Sequence, residues 1–240
     1  MGKVRDTIEN LFQRGEKGLV VLVDPDKPLS LDEIKKWEGI VTFWLVGGSL
    51  IVKGDVALTV RHLRENSKKP VVLFPGPGMP IVNADAILFM SLISGRNPEL
   101  LIGQQVINAP VVKKLGIETL PTAYMIVGNS YTAAHYMSFT QPIPEKTELV
   151  EATALAGLYL GFQYFYLDGG SGGKPISQEI IEVVAQTTQR PLFVGGGITN
   201  VQQCIKVWNS GSTFVVIGTA IENGALKPED LWEAIVSKRP

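Results

Sequence analysis

The chain has 240 residues, of which 45% are hydrophobic and 19% charged, and its formal net charge is −1. This apolar content can fill one sizeable core, and a single (β/α)₈ barrel typically has about 250 residues. Positive and negative side chains are mixed along the chain, which excludes the concentrated basic surface that nucleic acid requires. We therefore predict one domain, residues 1–240, with no nucleic-acid partner.

The lone cysteine, Cys204, excludes an internal disulfide and a cysteine-based metal site, and it favours a reducing compartment. The N-terminus has no apolar signal region, and the longest apolar runs are only as long as strands. These features predict a soluble, cytoplasmic protein.

Strand and helix signals alternate from the start of the chain. Helical spacing over 4–14 precedes a β-branched strand at 19–23, which is typical of a strand buried on both faces. Ser30 and Glu33 then form a capping box for a helix that ends at Trp37. A second strand at 40–46 and a helix at 52–64 follow.

The third strand breaks this alternation. Residues 70–74 read as a strand, and the next strand, 86–90, begins only a few residues later. Three prolines and two glycines at 75–80 make a helix implausible there. The third βα unit is therefore predicted to lack its helix.

The second half of the chain returns to regular alternation. We predict a helix at 98–114 broken by Gly103 and Pro110, and a polar, aromatic loop at 129–144. The remaining predicted strands are 117–127, 164–168, 191–194 and 213–217, and the remaining helices are 145–160, one opened by Ser177, one capped by Thr199 or Asn200 and one beginning at Pro228. Eight strands, most followed by a helix, predict a (β/α)₈ barrel, with a doubly wound open sheet as the alternative.

Glycine-rich loops follow the last three predicted strands. The strand at 164–168 ends in Asp168, and a four-glycine loop carrying Ser171 comes directly after it. In barrels the loops after strands seven and eight commonly hold a phosphate, and here they carry 195–197 and Gly218-Thr219. Tight packing between strand and helix is the alternative, but it needs neither Ser171 nor Thr219.

Two carboxylates end strands that should open on the same face. Asp24 ends the first strand and Asp168 the sixth, so one could hold Mg²⁺ while the other acts as a base. Asp24-Pro25-Asp26 could equally form an Asx turn. Lys27 could contact an anionic group or be solvated.

Three further reactive side chains are weaker candidates. His62 lies on a basic helix and is predicted at the surface, and His135 in the long loop is a weaker catalytic candidate than Asp168. Cys204 has the apolar spacing of its helix and is predicted in the core.

Five motifs together resemble the geranylgeranylglyceryl phosphate synthase family, which includes the bacterial heptaprenylglyceryl phosphate synthases. These motifs are LVDPDK from Leu22, VGGS from Val46, YLDGGSG from Tyr166, GGGI from Gly195 and IGT from Ile217. The resemblance covers nearly the whole chain. It implies a modified TIM barrel whose third helix is replaced by extended chain, in agreement with the helix missing after the third strand.

Members of that family alkylate the hydroxyl of sn-glycerol 1-phosphate with a polyprenyl diphosphate, making the first ether bond of an ether lipid. The resemblance implies that Asp24 and Ser49 hold Mg²⁺ and that Asp168 orients the glycerol hydroxyl and accepts its proton, assisted by Tyr166. Family members usually carry Glu where this chain has Asp168. The substrate-binding residues are then Tyr166, Leu167, Asp168, Gly169, Gly170, Ser171, Gly172, Gly195, Gly196, Gly197, Gly218, Thr219 and Lys27.

A prenyl chain of C20 or longer needs an apolar groove, and we predict Tyr131, Tyr136 and Phe139 as one wall of it. The resemblance also implies a homo-oligomer, either a dimer or a hexamer. Contact with membranes is expected to be transient at most. The competing functions are a sugar-phosphate isomerase or lyase, and a non-catalytic barrel that binds a phospholigand or a flavin.

Overall fold

The computed structural model describes residues 3–128 and 132–236. Eight parallel strands close into a barrel in sequence order, with the eighth paired to the first, so the barrel prediction is confirmed over the open sheet. The strands are β1 Gly18–Val23, β2 Phe43–Gly47, β3 Val71–Phe74, β4 Ala86–Leu92, β5 Glu118–Ile126, β6 Tyr164–Asp168, β7 Leu192–Gly195 and β8 Phe214–Ile217.

Helices cover the outside of the barrel, and several begin at the predicted caps. The Ser30–Glu33 capping box forms in both directions, and the Asn200 side chain accepts a hydrogen bond from the backbone of Gln203. The described helices are α1 Lys3–Gln13, α2 Leu31–Trp37, α3 Val56–Asn66, a π-helical turn Glu99–Gly103, α4 Gln104–Leu115, α5 Ala133–Met137, α6 Thr147–Tyr159, α7 Gln178–Thr188, α8 Val201–Asn209, α9 Thr219–Glu222 and α10 Pro228–Val236.

The predicted irregularity after β3 is confirmed, because residues 75–85 contain no helix. Two helix predictions were wrong in detail. The helix predicted from residue 52 begins at Val56, since Asp55 caps it and the preceding amides bond to a side chain elsewhere. The predicted break at Pro110 is absent. Pro110 is exposed, so the carbonyl it leaves without an intrahelical donor can be hydrated.

Side chains alternate across each strand, and this alternation separates two cores. On β6, Tyr164 and Tyr166 point into the barrel, whereas Phe165 and Leu167 pack beneath the helices. The barrel interior contains Val20, Phe43, Leu45, Val72, Ala86, Leu88, Leu120, Phe193, Phe214 and Val216 as well. Cys204 lies in the core beneath the helices, as predicted, and burial raises the pKa of its thiol to about 12.

Helix α1 closes the barrel at the amino ends of the strands. Val4 and Ile8 join the interior core, and the Glu118 carboxylate accepts hydrogen bonds from the backbone of Val4 and Arg5, each 3.0 Å long. A ligand therefore reaches the barrel interior from the carboxyl ends of the strands. Within the described ranges, no helix is both long and apolar enough to cross a bilayer.

Candidate active site

A cavity of about 450 Å³ opens at the carboxyl ends of the strands. It collects predicted residues from strand β6 and from the loops after five strands, β1, β2, β6, β7 and β8. Those that line it are Asp24, Ser49, Tyr166, Asp168, Ser171, Gly172, Gly196, Gly197, Gly218 and Thr219. Neither His62 nor His135 lines it. The carboxylates of Asp24 and Asp168 thus open on one space, as the strand ends predicted.

Five residues predicted to bind substrate do not line the cavity. Leu167 is fully buried beneath the helices, because side chains on β6 alternate and Asp168 takes the inward position. Gly169, Gly170 and Gly195 lie behind the lining residues and shape the loops. Lys27 has a mostly exposed side chain, and its ammonium lies 2.8 Å from the Glu222 carboxylate, which does line the cavity.

Asp168 is the buried acid of the site. Its side chain is 8% exposed, and its Oδ1 accepts a hydrogen bond of 2.6 Å from the amide of Gly170. Burial raises the pKa of this carboxyl, and the hydrogen bonds from Tyr124 and Gly170 lower it again in part. A carboxylate with a raised pKa is a better proton acceptor, which suits a general base.

Tyr124 was missed by the sequence analysis. It lies on β5 directly beside Tyr166 of β6, and its hydroxyl donates a hydrogen bond to Asp168 Oδ2. The rings of Phe74, Tyr124 and Tyr166 pack with centroids 5.3 to 5.8 Å apart and form an aromatic floor below the carboxylate. Thr122, Tyr124 and Ile126 alternate with other residues along β5, and this alternation could have predicted that the Tyr124 side chain points into the barrel. The sequence pattern could not reveal the partner of its hydroxyl, because Asp168 lies 44 residues away along the chain.

The glycines after β6 and β7 allow the two loops to touch. Gly196 has φ +84°, and a Cβ there would lie 2.7 Å from the amide nitrogen of Gly169 and 2.8 Å from Asp168 Oδ1. Gly197 has φ +70° and would meet the backbone of Lys174 and Pro175. Only glycine fits this approach without strain, and Gly196 and Gly197 both line the cavity.

The loops after β6 and β8 are joined by hydroxyls. Ser171 Oγ lies 2.6 Å from Thr219 Oγ1, and both residues line the cavity. Two hydroxyls beside glycine-rich backbone form a polar corner that can donate hydrogen bonds to a phosphate. Tight packing between strand and helix, the alternative interpretation of these loops, accounts for the glycines but not for the Ser171 and Thr219 side chains.

Asp24 follows β1, which pairs with β8, so it lies on the side of the cavity next to the loop that carries Thr219. Burial raises the pKa of its carboxyl, and the nearby charges of Asp26 and Glu222 raise it further. Its Oδ1 accepts a hydrogen bond from the amide of Asp26, so the predicted Asx turn is present as well. The Asp26 carboxylate in turn bonds the amides of Val52, Lys53 and Gly54, which fixes the loop after β2 against Asp24.

The donors at Asp24 fit a magnesium ion. Ser49 lines the same part of the cavity, and Gly48 leaves space there, since a Cβ would lie 3.4 Å from Asp24 Oδ1. No group of three His, Cys, Asp or Glu side chains converges anywhere in residues 3–128 and 132–236. Mg²⁺ commonly uses one or two protein carboxylates and completes its shell with water and substrate phosphate oxygens, so this small donor set is compatible with it.

The opposite side of the cavity is mainly apolar, with Gln104, Gln105 and Asn108 of α4 as its polar members. It is built from strand β4, the π-helical turn and α5, through Leu88, Met90, Leu92, Leu100, Ala133, Ala134 and Met137. The prediction that Tyr136 and Phe139 form this wall was wrong: they are 75% and 81% exposed and do not line the cavity. Helix α5 turns its alanines and Met137 inward instead. Tyr131 lies outside the described residues.

Fold and site together define a (β/α)₈-barrel protein whose cavity joins a glycine-lined, carboxylate-bearing side to an apolar side. A model of the PcrB family matches residues 12–239. The chain therefore belongs to the PcrB family.

Similar proteins carry a more specific name. The chain is 43% identical to the geranylgeranylglyceryl phosphate synthase of Spirosoma linguale over 87% of each chain, and 38% identical to that of Chitinophaga pinensis over 99% of this chain and 98% of the relative. The crystal structure of (S)-3-O-geranylgeranylglyceryl phosphate synthase from Thermoplasma acidophilum, in complex with sn-glycerol-1-phosphate, superposes with a TM-score of 0.89. The superposition covers 100% of this chain and 99% of the Thermoplasma chain, and the two sequences are 26% identical.

Proposed function

We propose that this chain is a prenyltransferase that joins a polyprenyl diphosphate, geranylgeranyl diphosphate in the first instance, to sn-glycerol 1-phosphate. The observation that carries the proposal is the position of Asp168, a buried carboxylate between the polar and apolar sides of one cavity. The relatives named above support the same reaction.

The polar corner supports binding of the glycerol phosphate. Ser171, Thr219 and the backbone of 196–197 can donate hydrogen bonds to the phosphate oxygens. With the phosphate held there, the glycerol carbons extend toward Asp168 and Tyr166. The aromatic floor limits how deeply glycerol can enter the barrel.

Asp168 performs the proton transfer in this scheme. The glycerol oxygen forms a bond to the allylic carbon of the prenyl chain, the bond from that carbon to the diphosphate breaks, and the hydroxyl proton moves to Asp168. Tyr124 holds the accepting carboxylate in place. The ring of Tyr166 lies where it can shield positive charge that develops on the allylic carbon.

Asp24 and Ser49 would hold Mg²⁺ on the diphosphate side. When bound, the ion supplies positive charge that stabilises the departing diphosphate. Lys27 lies near this site, and its ammonium forms an ion pair with Glu222. It can contact the diphosphate only after that ion pair opens.

Metal dependence has its own test. We expect Asp24→Asn to raise the Mg²⁺ concentration for half-maximal activity by about tenfold, a loss of ~1.4 kcal/mol in binding. Glu182→Gln, on the outer surface of α7, removes one carboxylate and should leave that concentration unchanged. An unchanged magnesium requirement in Asp24→Asn would remove Asp24 from the metal site.

The apolar side distinguishes a prenyl donor from the competing sugar-phosphate chemistry. A sugar phosphate requires polar partners around all its hydroxyls, whereas this wall presents mainly leucine, methionine and alanine side chains beside the three amides of Gln104, Gln105 and Asn108. The reaction is tested directly with radiolabelled sn-glycerol 1-phosphate, geranylgeranyl diphosphate and Mg²⁺, with the 3-phosphate enantiomer and longer diphosphates run in parallel. Product from the 1-phosphate alone, lost in Asp168→Ala, is the expected result. No product with any donor would overturn the proposal.

The setting of the reaction is part of the proposal. The lone, buried Cys204 suits the reducing cytoplasm. The lipid substrate and product imply transient contact with a membrane. A homo-oligomer, dimer or hexamer, is also proposed.

A further inference from the structure

A negative side chain lines a cavity that is proposed to take two negatively charged substrates. Glu222 ends α9, the short helix that follows β8, and it lines the cavity with only 16% of its side chain exposed. Like charges in a partly buried site repel each other, so this carboxylate opposes the binding of a diphosphate and of a phosphate ester. Its charge is therefore unfavourable for binding unless another group neutralises it.

Lys27 neutralises that charge. Its ammonium lies 2.8 Å from Glu222 Oε2, and this ion pair joins the loop after β1 to α9. Both residues act on Asp24 as well: burial is the main cause that raises the pKa of its carboxyl, and the charge of Glu222 raises this pKa further whereas that of Lys27 lowers it. The ion pair therefore lies beside Asp24, where the diphosphate is proposed to bind.

The backbone that carries Lys27 is fixed, but its side chain is not. The Lys27 amide donates a hydrogen bond of 2.8 Å to the Asp24 carbonyl, and the Asp26 carboxylate holds this turn against the loop after β2. The Lys27 side chain, in contrast, is 63% exposed and has a long, flexible stem. Rotation of this side chain alone can move the ammonium away from Glu222 without movement of the loop.

Exchange of the ammonium between Glu222 and a diphosphate is energetically accessible. Exposed ion pairs contribute little to stability, so opening this one costs little. A diphosphate carries more negative charge than one carboxylate and offers several acceptor oxygens, so it competes well for the same ammonium. Once Lys27 has moved, the Glu222 charge is uncompensated beside the diphosphate, and this favours the reverse exchange.

We infer that Glu222 and the diphosphate compete for the Lys27 ammonium, and that Glu222 thereby limits how tightly diphosphate is held after the reaction. Glu222 is a positioning residue in this inference, since it acts through Lys27. A site that kept its diphosphate would be inhibited by its own product. The inference rests on the proposed function, because it requires a diphosphate beside Asp24.

The experiment measures binding of inorganic diphosphate to the full chain by isothermal titration calorimetry with excess Mg²⁺. Glu222→Gln frees Lys27 while keeping the size of the side chain, so the Kd for diphosphate should fall about three- to fivefold. Lys27→Met should raise this Kd by a similar factor, whereas Lys27→Arg keeps a cation and should bind diphosphate as the wild type does. The matched controls Glu182→Gln and Lys206→Met remove the same charges from the outer surfaces of α7 and α8 and should leave the Kd unchanged.

A double variant distinguishes exchange from simple repulsion. If Glu222 acts through Lys27, Glu222→Gln in the Lys27→Met background should change the Kd less than about twofold. Glu222→Ala should act in the same direction as Glu222→Gln and replaces it if that variant does not fold. An equal effect of the Glu222 substitution in both backgrounds, or no effect when Lys27 is present, would overturn the inference.

Failure of this inference is distinguishable from failure of the proposed function. A wild type that binds no diphosphate under these conditions would remove the diphosphate site, and both proposals with it. Diphosphate binding without coupling between Lys27 and Glu222 would remove the exchange alone and leave the prenyltransferase reaction standing.

Discussion

The two sides of the cavity are built by different means. The polar side is made of backbone: glycine loops after β6 and β7 touch, and short hydrogen bonds hold them and Asp168 in place. The apolar side consists of side chains from β4, the π-helical turn and α5, which pack without directional bonds. Enzyme activity should therefore change sharply when a single atom is altered on the polar side. On the apolar side it should change gradually with the volume of the side chains.

The largest effect is expected at the carboxylate between the two sides. Asp168→Asn keeps the size of the side chain but removes the proton acceptor, so kcat should fall by about 10²- to 10⁴-fold. Binding of sn-glycerol 1-phosphate should change little, as measured by calorimetry. Glu182→Gln makes the same chemical change on the surface and should keep full activity. An active Asp168→Asn would exclude Asp168 as the base.

The next largest effect should come from the backbone of the polar side. Gly196→Ala combines a φ of +84° with a Cβ too close to Gly169 and Asp168, so the loops must separate. We expect KM for sn-glycerol 1-phosphate to rise about ten- to a hundredfold. Gly15→Ala has a similar φ of +67° but meets no atom within 4 Å, so it should lower thermal stability without affecting KM. Equal effects of the two variants on KM would contradict this account of the glycine loops.

Tyr124→Phe separates positioning from proton transfer. It removes a hydrogen bond to Asp168, and kcat/KM should fall about tenfold. Because that bond lowers the pKa of Asp168, its loss raises this pKa further. The base acts when ionised, so activity is lost as pH falls through the pKa, and the acid limb of the pH profile should move to higher pH. A reduced rate with an unmoved acid limb would assign Tyr124 a packing role only.

The apolar side should give the smallest effect. Met90→Ala removes part of the wall, and KM for geranylgeranyl diphosphate should rise about fivefold while KM for glycerol phosphate stays the same. Tyr136→Ala is the control, since Tyr136 is exposed and does not line the cavity. Sensitivity at Tyr136 rather than Met90 would restore the aromatic-loop wall predicted from sequence.

The same difference between the polar and apolar sides of the cavity explains which site residues could be predicted from the sequence. Glycine triplets and a carboxylate at a strand end mark a polar loop locally, so residues such as Asp168, Gly196 and Thr219 were found directly. The apolar wall has no such local mark, because any leucine or methionine on β4 could belong to the core. Tyr124 was missed for a related reason: its inward position is local, but its hydrogen bond to Asp168 depends on how β5 pairs with β6.

Errors in the helices had physical causes as well. Pro110 was predicted to break a helix, but an exposed proline is tolerated when the unpaired carbonyl can be hydrated. The start of α3 was placed too early because the amides of 52–54 bond to Asp26, a partner from another loop. In both cases local propensity was overruled by surroundings that the sequence pattern does not contain.

The sealed position of Cys204 has a practical consequence. A fully buried thiol whose pKa is about 12 is almost entirely protonated at neutral pH, so it reacts slowly with thiol-directed dyes. Cys204 in the native chain should therefore not compete with an introduced cysteine for a thiol-directed label. A cysteine introduced at exposed Tyr136 would carry a fluorophore or spin label alone, and would report on movement of helix α5, whose Ala133, Ala134 and Met137 line the cavity.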